Sequence, residues 1–185
     1  MELRKEYLHL RRKFSFQPIS GHLWKFLRLR PANFPTIRIA ELASILQQNT
    51  GLFSKVMETR RSQDINDLLA AETSPYWDTH YIFGKESKVQ KKCLGEDAIR
   101  LMMINLVVLF LFLYGKVKDQ PDLQRRAIQL LQSLPEEKNR VTSNFSKYGI
   151  DPQNALESQA LLELKSQFCD GKKCLHCRIG LDLIK

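Results

Sequence analysis

Residues 97–115 read DAIRLMMINLVVLFLFLYG, and the reading of this run decides the fold. Between Leu101 and Tyr114 only Asn105 is neither apolar nor aromatic. A helix that is apolar on every side is either buried all round or set in a membrane. A bilayer span needs about 20 apolar residues. This run is shorter, starts beside Asp97 and Arg100, and contains Asn105. The expectation is a buried central helix and no membrane partner. Asn105 needs a partner if it faces inward. A side-chain bond to backbone that fixes a neighbouring loop is the simple reading, and a ligand contact the alternative.

Working outward, the flanking sequence keeps a helical period. Downstream, Pro121 suits the start of a helix that aligns Leu123, Ala127, Leu130, Leu131 and Leu134 on one face. Pro135 is expected to open the next, with Val141, Phe145 and Tyr148 inward and Gly149 as a left-handed stop. Asp151 and Pro152 read as a cap and first turn. Leu156, Ala160, Leu164 and Phe168 then repeat every four residues and lead into Cys169. Upstream, residues 2–14 place Leu3, Tyr7, Leu10 and Phe14 on one stripe. Residues 22–29 suggest a short helix stopped by Pro31. Pro35 opens a helix over 36–48 that shows Ile39, Ala43 and Leu46 on one face. Short amphipathic helices follow around Leu52–Met57 and Ile65–Leu69. No strand alternation stands out. The predicted class is all-α: one multi-helix globular domain over 1–185 around the central helix, with a Cys-rich loop at 168–180.

The chain carries a net charge of +9, and residues 1–61 hold 12 Lys/Arg against 4 Asp/Glu. A localised basic excess is the footprint of a polyanion binder, and solvated basic helices give the same count. Within this third, residues 28–40 (RLRPANFPTIRIA) set three arginines around two prolines. Arg28, Arg30 and Arg38, with Lys25 nearby, read as a cluster for the phosphates of DNA or RNA. The competing reading is arginines that cap carbonyls or pair with carboxylates. Residues 73–83 (TSPYWDTHYIF) carry four aromatics with Asp78 and His80. They read as packing rather than as stacking platforms. No nucleophile stands out beside His80, so the chain alone is not expected to be an enzyme.

Three of the four cysteines fall close together, in FCDGKKCLHCRIG at 168–180. Cys169, Cys174 and Cys177 give a C-x4-C-x2-C spacing, in which two thiolates can grip one metal. Lys172, Lys173 and Arg178 provide surroundings that favour thiolate. Zinc or an iron–sulfur cluster would accept such ligands, and a reduced loop or a disulfide is the alternative. A fourth ligand is not evident; Cys93 and His176 are the candidates. The clustering argues against a secreted disulfide framework. The N-terminus has no uninterrupted apolar h-region. The expected location is the cytoplasm. A helix running into a cysteine loop also resembles the ending of endonuclease III-like DNA glycosylases, although those have a wider first spacing and a fourth cysteine.

EYLHLRRKF, WKFLRLRPANFPTIRIAELA, SPYW, NLVVLFLFLYGK, LPEEKN, SQALLELK and CDGKKCLHCRIG together resemble a bacterial domain-of-unknown-function family, numbered 2851. The resemblance implies no assigned activity. It places Cys169, Cys174 and Cys177 in the family's ending and leaves Cys93 outside its pattern. It also implies an upstream half similar to a PD-(D/E)xK nuclease core, whose motifs this chain lacks. The expectation that follows is a nucleic-acid-binding accessory domain, non-catalytic by itself. The alternative is a structural or interaction domain that docks on an N-terminal nuclease-like domain.

Overall fold

In the computed structural model, helix Glu96–Val117 forms the centre of the larger of two units. The structure describes residues 2–27, 29–30 and 33–184. The larger unit joins Ser44–Glu72 to Cys93–Lys185; the smaller joins Met1–Ala43 to Thr73–Lys92. Among the described residues the regular structure is helical apart from one short hairpin and an isolated bridge, so the all-α expectation holds.

The central helix has three parts: α6 (Glu96–Met102), a π turn (Met103–Val107) and α7 (Val108–Val117). A π turn inserts an extra residue into the winding. Asn105 lies within it and donates from Nδ2 to the Leu101 carbonyl at 3.0 Å. Asn105 is exposed rather than inward, and its bond lies within its own helix instead of fixing a neighbouring loop.

One face of this helix is the core. Ile99, Met103, Ile104, Val107, Val108 and Leu111 are buried, Leu111 completely. They pack with Ile45, Val56, Ile65 and Leu69 from upstream, and with Ala127, Leu130, Leu131, Leu134 and Ala155 from downstream. The upstream residues lie on the end of α2 (Pro35–Gln48), on α3 (Leu52–Glu58) and on α4 (Ser62–Leu69). The last five belong to α8 (Pro121–Ser133), to the residue after it and to α10 (Ala155–Glu163). Helix α8 lies close against α7 because Gly115 has no side chain. A Cβ there would meet the Gln120 carbonyl and the Leu123 Cβ, each at 2.9 Å.

Burial all round is where the expectation fails. Leu101, Leu106, Leu109, Phe110 and Leu113 are each between 44 and 55% exposed, on an equally apolar face. By length and composition this 22-residue helix is also apolar enough to cross a membrane, a property that core helices share.

The remaining helices follow the prolines and caps with local shifts. Helix α8 begins at Pro121 as expected. Helix α9 (Arg140–Ser146) begins not at Pro135 but after Asn139, whose side chain forms a capping box with Thr142. Val141 and Phe145 are half-buried, whereas Tyr148 faces solvent. Gly149 takes its left-handed turn at φ 76°. Asn154, not Asp151, caps α10, and the buried face there is Ala155 and Ser158. The chain then continues as a π turn through Leu164–Cys169. In α2 the buried positions are Ile37, Glu41 and Ile45, while Ile39 and Leu46 are exposed. The buried stripe begins two residues earlier than the expected one, about half a turn round the helix.

In the smaller unit, α1 (Glu2–Lys13) forms where its period predicted, but Tyr7, Leu10 and Phe14 are exposed. The Leu3 side chain, Arg28 and Pro31 lie outside the described residues. Residues 22–29 show only a 3₁₀ turn at Gly21–Leu23 among those described. The hairpin joins β1 (His80–Ile82) to β2 (Lys85–Glu86) around Gly84 at φ 70°. It follows the one-turn helix α5 (Pro75–Asp78). Three residues are too few for an alternating signal, which is why no strand was legible.

Candidate nucleic-acid interface and cysteine loop

The smaller unit gathers the positive charge. Its two segments hold 13 Lys/Arg against 5 Asp/Glu, net +8, whereas the larger unit holds 16 against 15, net +1. Within it, α1 ends in the basic turn Arg11, Arg12, Lys13. The chain then reverses through Ser15 at φ 53°, and the Phe16 N–H donates to the Arg11 carbonyl at 3.1 Å. This stacks the exposed Phe14 and Phe16 rings at 5.4 Å, with the Lys13 ammonium 5.3 Å from the Phe14 centroid. The reversal was not legible in the sequence, although the basic run and both aromatics were.

The expected arginine cluster is only partly assembled. Arg28 lies outside the described residues. Lys25 and Arg30 are exposed. Arg38 is engaged: its guanidinium donates to the buried Glu41 carboxylate at 2.8 Å and to Asn33 Oδ1 at 2.5 Å. A carboxylate this deeply buried requires a partner. Arg38 therefore follows the carboxylate-pairing reading.

The aromatic segment packs on itself. Tyr76 stacks on His80 at 4.1 Å, and Trp77 meets Phe83 edge-on at 5.1 Å. His80 Nδ1 lies 3.0 Å from the Tyr76 carbonyl and 2.9 Å from the Thr79 hydroxyl. Beside it, buried Lys92 donates to the carbonyls of Asp78 and Gln90, both at 3.0 Å, and sits 4.2 Å over the Tyr81 ring. Burial lowers the Lys92 pKa, against the opposing pull of Asp78. The arrangement ties the hairpin to the strand-like chain after it.

In the larger unit Arg126 is the most heavily engaged cation. It donates to the carbonyls of Val56, Met57 and Thr59, and so closes the C-terminal end of α3. Burial and nearby Arg60 both lower its pKa.

The cysteine loop is held by backbone. Cys174 starts a 3₁₀ turn, Cys174–His176, and the Cys177 N–H donates to the Cys174 carbonyl at 3.2 Å. Helix α11 (Arg178–Ile184) approaches so closely that a Cβ on Gly180 would lie 2.4 Å from the Cys174 carbonyl oxygen. Cys169 and Cys174 are exposed and Cys177 half-buried. Among the described residues no three His, Cys, Asp or Glu side chains converge to hold a metal ion. As placed, the cysteines do not form a closed ligand set. Cys93, exposed, lies in a bridge with Glu72.

A family model described as Protein of unknown function (DUF2851) matches residues 1–140 of the 185. The matched stretch includes the basic segment and the central helix and stops short of the three clustered cysteines. Comparisons with curated proteins and with solved structures give no match. With three quarters of its length matched, the chain belongs to the DUF2851 family.

Proposed function

We propose that the chain is a helical nucleic-acid-binding module, non-catalytic by itself, which grips phosphates through its smaller unit. The observation that carries this reading is the collection of +8 of the net +9 charge in that unit. Such an excess attracts a polyanion and releases its counterions. The ligands are the exposed Lys25 and Arg30 and the basic turn Arg11–Lys13. The stacked Phe14 and Phe16 beside that turn offer a face to an unpaired base. Arg38, paired with Glu41, is not counted among the ligands.

Fluorescence anisotropy with labelled single- and double-stranded oligonucleotides over a salt series tests this. Affinity should fall with a logarithmic slope of about −0.9 for each duplex phosphate neutralised. Arg11→Ala with Arg12→Ala should weaken binding and flatten the slope by about 1 for each phosphate no longer neutralised. Absence of binding at low salt, or binding indifferent to salt, rejects the proposal.

The metal reading stands as a separate proposal for Cys169, Cys174 and Cys177, with zinc or an iron–sulfur cluster as the group. Elemental analysis and an absorption spectrum on protein purified without oxygen decide it. About one zinc per chain without colour supports a structural site. A brown protein supports a cluster, and metal-free protein rejects both.

The interaction reading also has one observation in its favour, the uncovered apolar face of the central helix.

A further inference from the structure

The central helix exposes an apolar stripe, Leu101, Leu106, Leu109, Phe110 and Leu113, interrupted by the exposed Asn105. Beside it lies an apolar groove of about 260 Å³, lined by Leu46, Phe53, Val56, Leu106 and Phe110 among others. Phe53 extends the surface and meets Tyr114 edge-on at 5.5 Å. Exposed apolar surfaces of this extent mark contact sites. Val117, Leu46 and Phe53, also exposed, extend the surface.

The charges at the helix ends select the partner. No charged residue lies between Arg100 and Lys116, so nothing on the stripe repels another copy of it. The N-terminal end carries exposed Glu96 and Asp97, the latter paired with Arg100, and the C-terminal end exposed Lys116 and Lys118, followed by Asp119, so the ends keep net negative and net positive charge. The apolar stripe over 101–113 is centred on residue 107, and so is the pair Glu96 and Lys118. Turned antiparallel about that centre, the helix meets its own copy with Leu101 opposite Leu113 and acid opposite base. The two helix dipoles then also oppose each other favourably. Asn105 is the one polar side chain on this face, and its Nδ2 bonds to the Leu101 carbonyl of its own helix.

We propose that two copies of the chain pair through this face as an isologous dimer, with their central helices antiparallel.

Sedimentation velocity on the full chain, with circular dichroism as a check of folding, tests the pairing. The expected result is a dimer at micromolar concentration and a monomer of unchanged helicity for Leu109→Glu. Lys116→Glu with Lys118→Glu should weaken the dimer roughly ten-fold through like charges at both ends. Adding Glu96→Lys and Asp97→Lys should restore it. A monomeric wild type overturns the proposal, as does a Leu109→Glu protein that stays dimeric or a larger, polydisperse assembly. A monomer that floats with phosphatidylcholine vesicles overturns it in favour of a bilayer on the same face. Failure of the fourfold charge reversal to restore pairing overturns the antiparallel register.

Discussion

The two units divide the work of the chain. The larger one is nearly neutral and owns the shared core built around Leu111. The smaller one holds almost all of the net charge and buries little beyond Ile37 and Trp77 among its described apolar residues. Its buried polar residues, Glu41, Thr73 and Lys92, are each tied by a specific bond: Glu41 to Arg38, Thr73 to the Lys92 carbonyl, and Lys92 to two carbonyls. The contrast teaches that burial and charge compete for the same positions. A segment rich in Lys and Arg cannot contribute many side chains to a dry interior, because a buried charge must be paired or neutralised.

The comparison breaks most readily at Leu111. This residue is fully buried, and Leu111→Ala should cost about 2–5 kcal/mol through poorer packing and the cavity left behind. Both tryptophans, Trp24 and Trp77, lie in the smaller unit, so their fluorescence reports that unit alone. In urea, the variant's circular dichroism midpoint should fall further than its fluorescence midpoint. Equal shifts in both signals would mean that the units unfold as one cooperative body.

A smaller effect is expected at Arg126. Its removal leaves three carbonyls at the end of α3 without their donor, and each unsatisfied group costs about 1–3 kcal/mol unless water replaces it. Solvent reaches this end of the helix, so Arg126→Ala should lower stability by about 1–3 kcal/mol in total. The loss should appear in circular dichroism before fluorescence. An unchanged midpoint would show that water caps the helix as well as the guanidinium does.

The smallest effect is a pH dependence confined to the other unit. Burial holds the Lys92 pKa below its ordinary 10.5. Between the lowered value and 10.5 the unfolded chain binds more protons than the folded one, so stability rises with pH across that window. Below it the cost of the buried charge is present in full. The fluorescence midpoint should therefore climb as pH is raised towards 10.5, and Lys92→Met should remove that climb. A wild-type midpoint that is flat or falling relative to the variant would reject the assignment.

Much of this was legible from the residues. The helical class, the start of α8 at Pro121 and the left-handed stop at Gly149 follow from period and backbone chemistry, which are local. The basic excess was equally plain. What was not legible depends on the choice between near-equivalent local options. Asn139 won over Pro135 as the start of α9 because its side chain completes a capping box with Thr142. Ile37 and Ile45 won over Ile39 and Leu46 as the buried face of α2, though both sets are apolar and helically spaced. Arg38 reads as a phosphate ligand until Glu41, three residues on, is seen to be buried against it.

By itself the sequence determined that this chain is helical, that its core forms around the helix over 97–114, and that its charge is lopsided. Each follows from composition and period, which do not depend on what the segments meet. Only the tertiary structure decided which face of the central helix is covered. That helix is apolar on every side, so its sequence carries no signal that separates an inward face from an outward one. Residues distant in the chain, from Ile45 to Ala155, made the choice by packing on one face and leaving the other open.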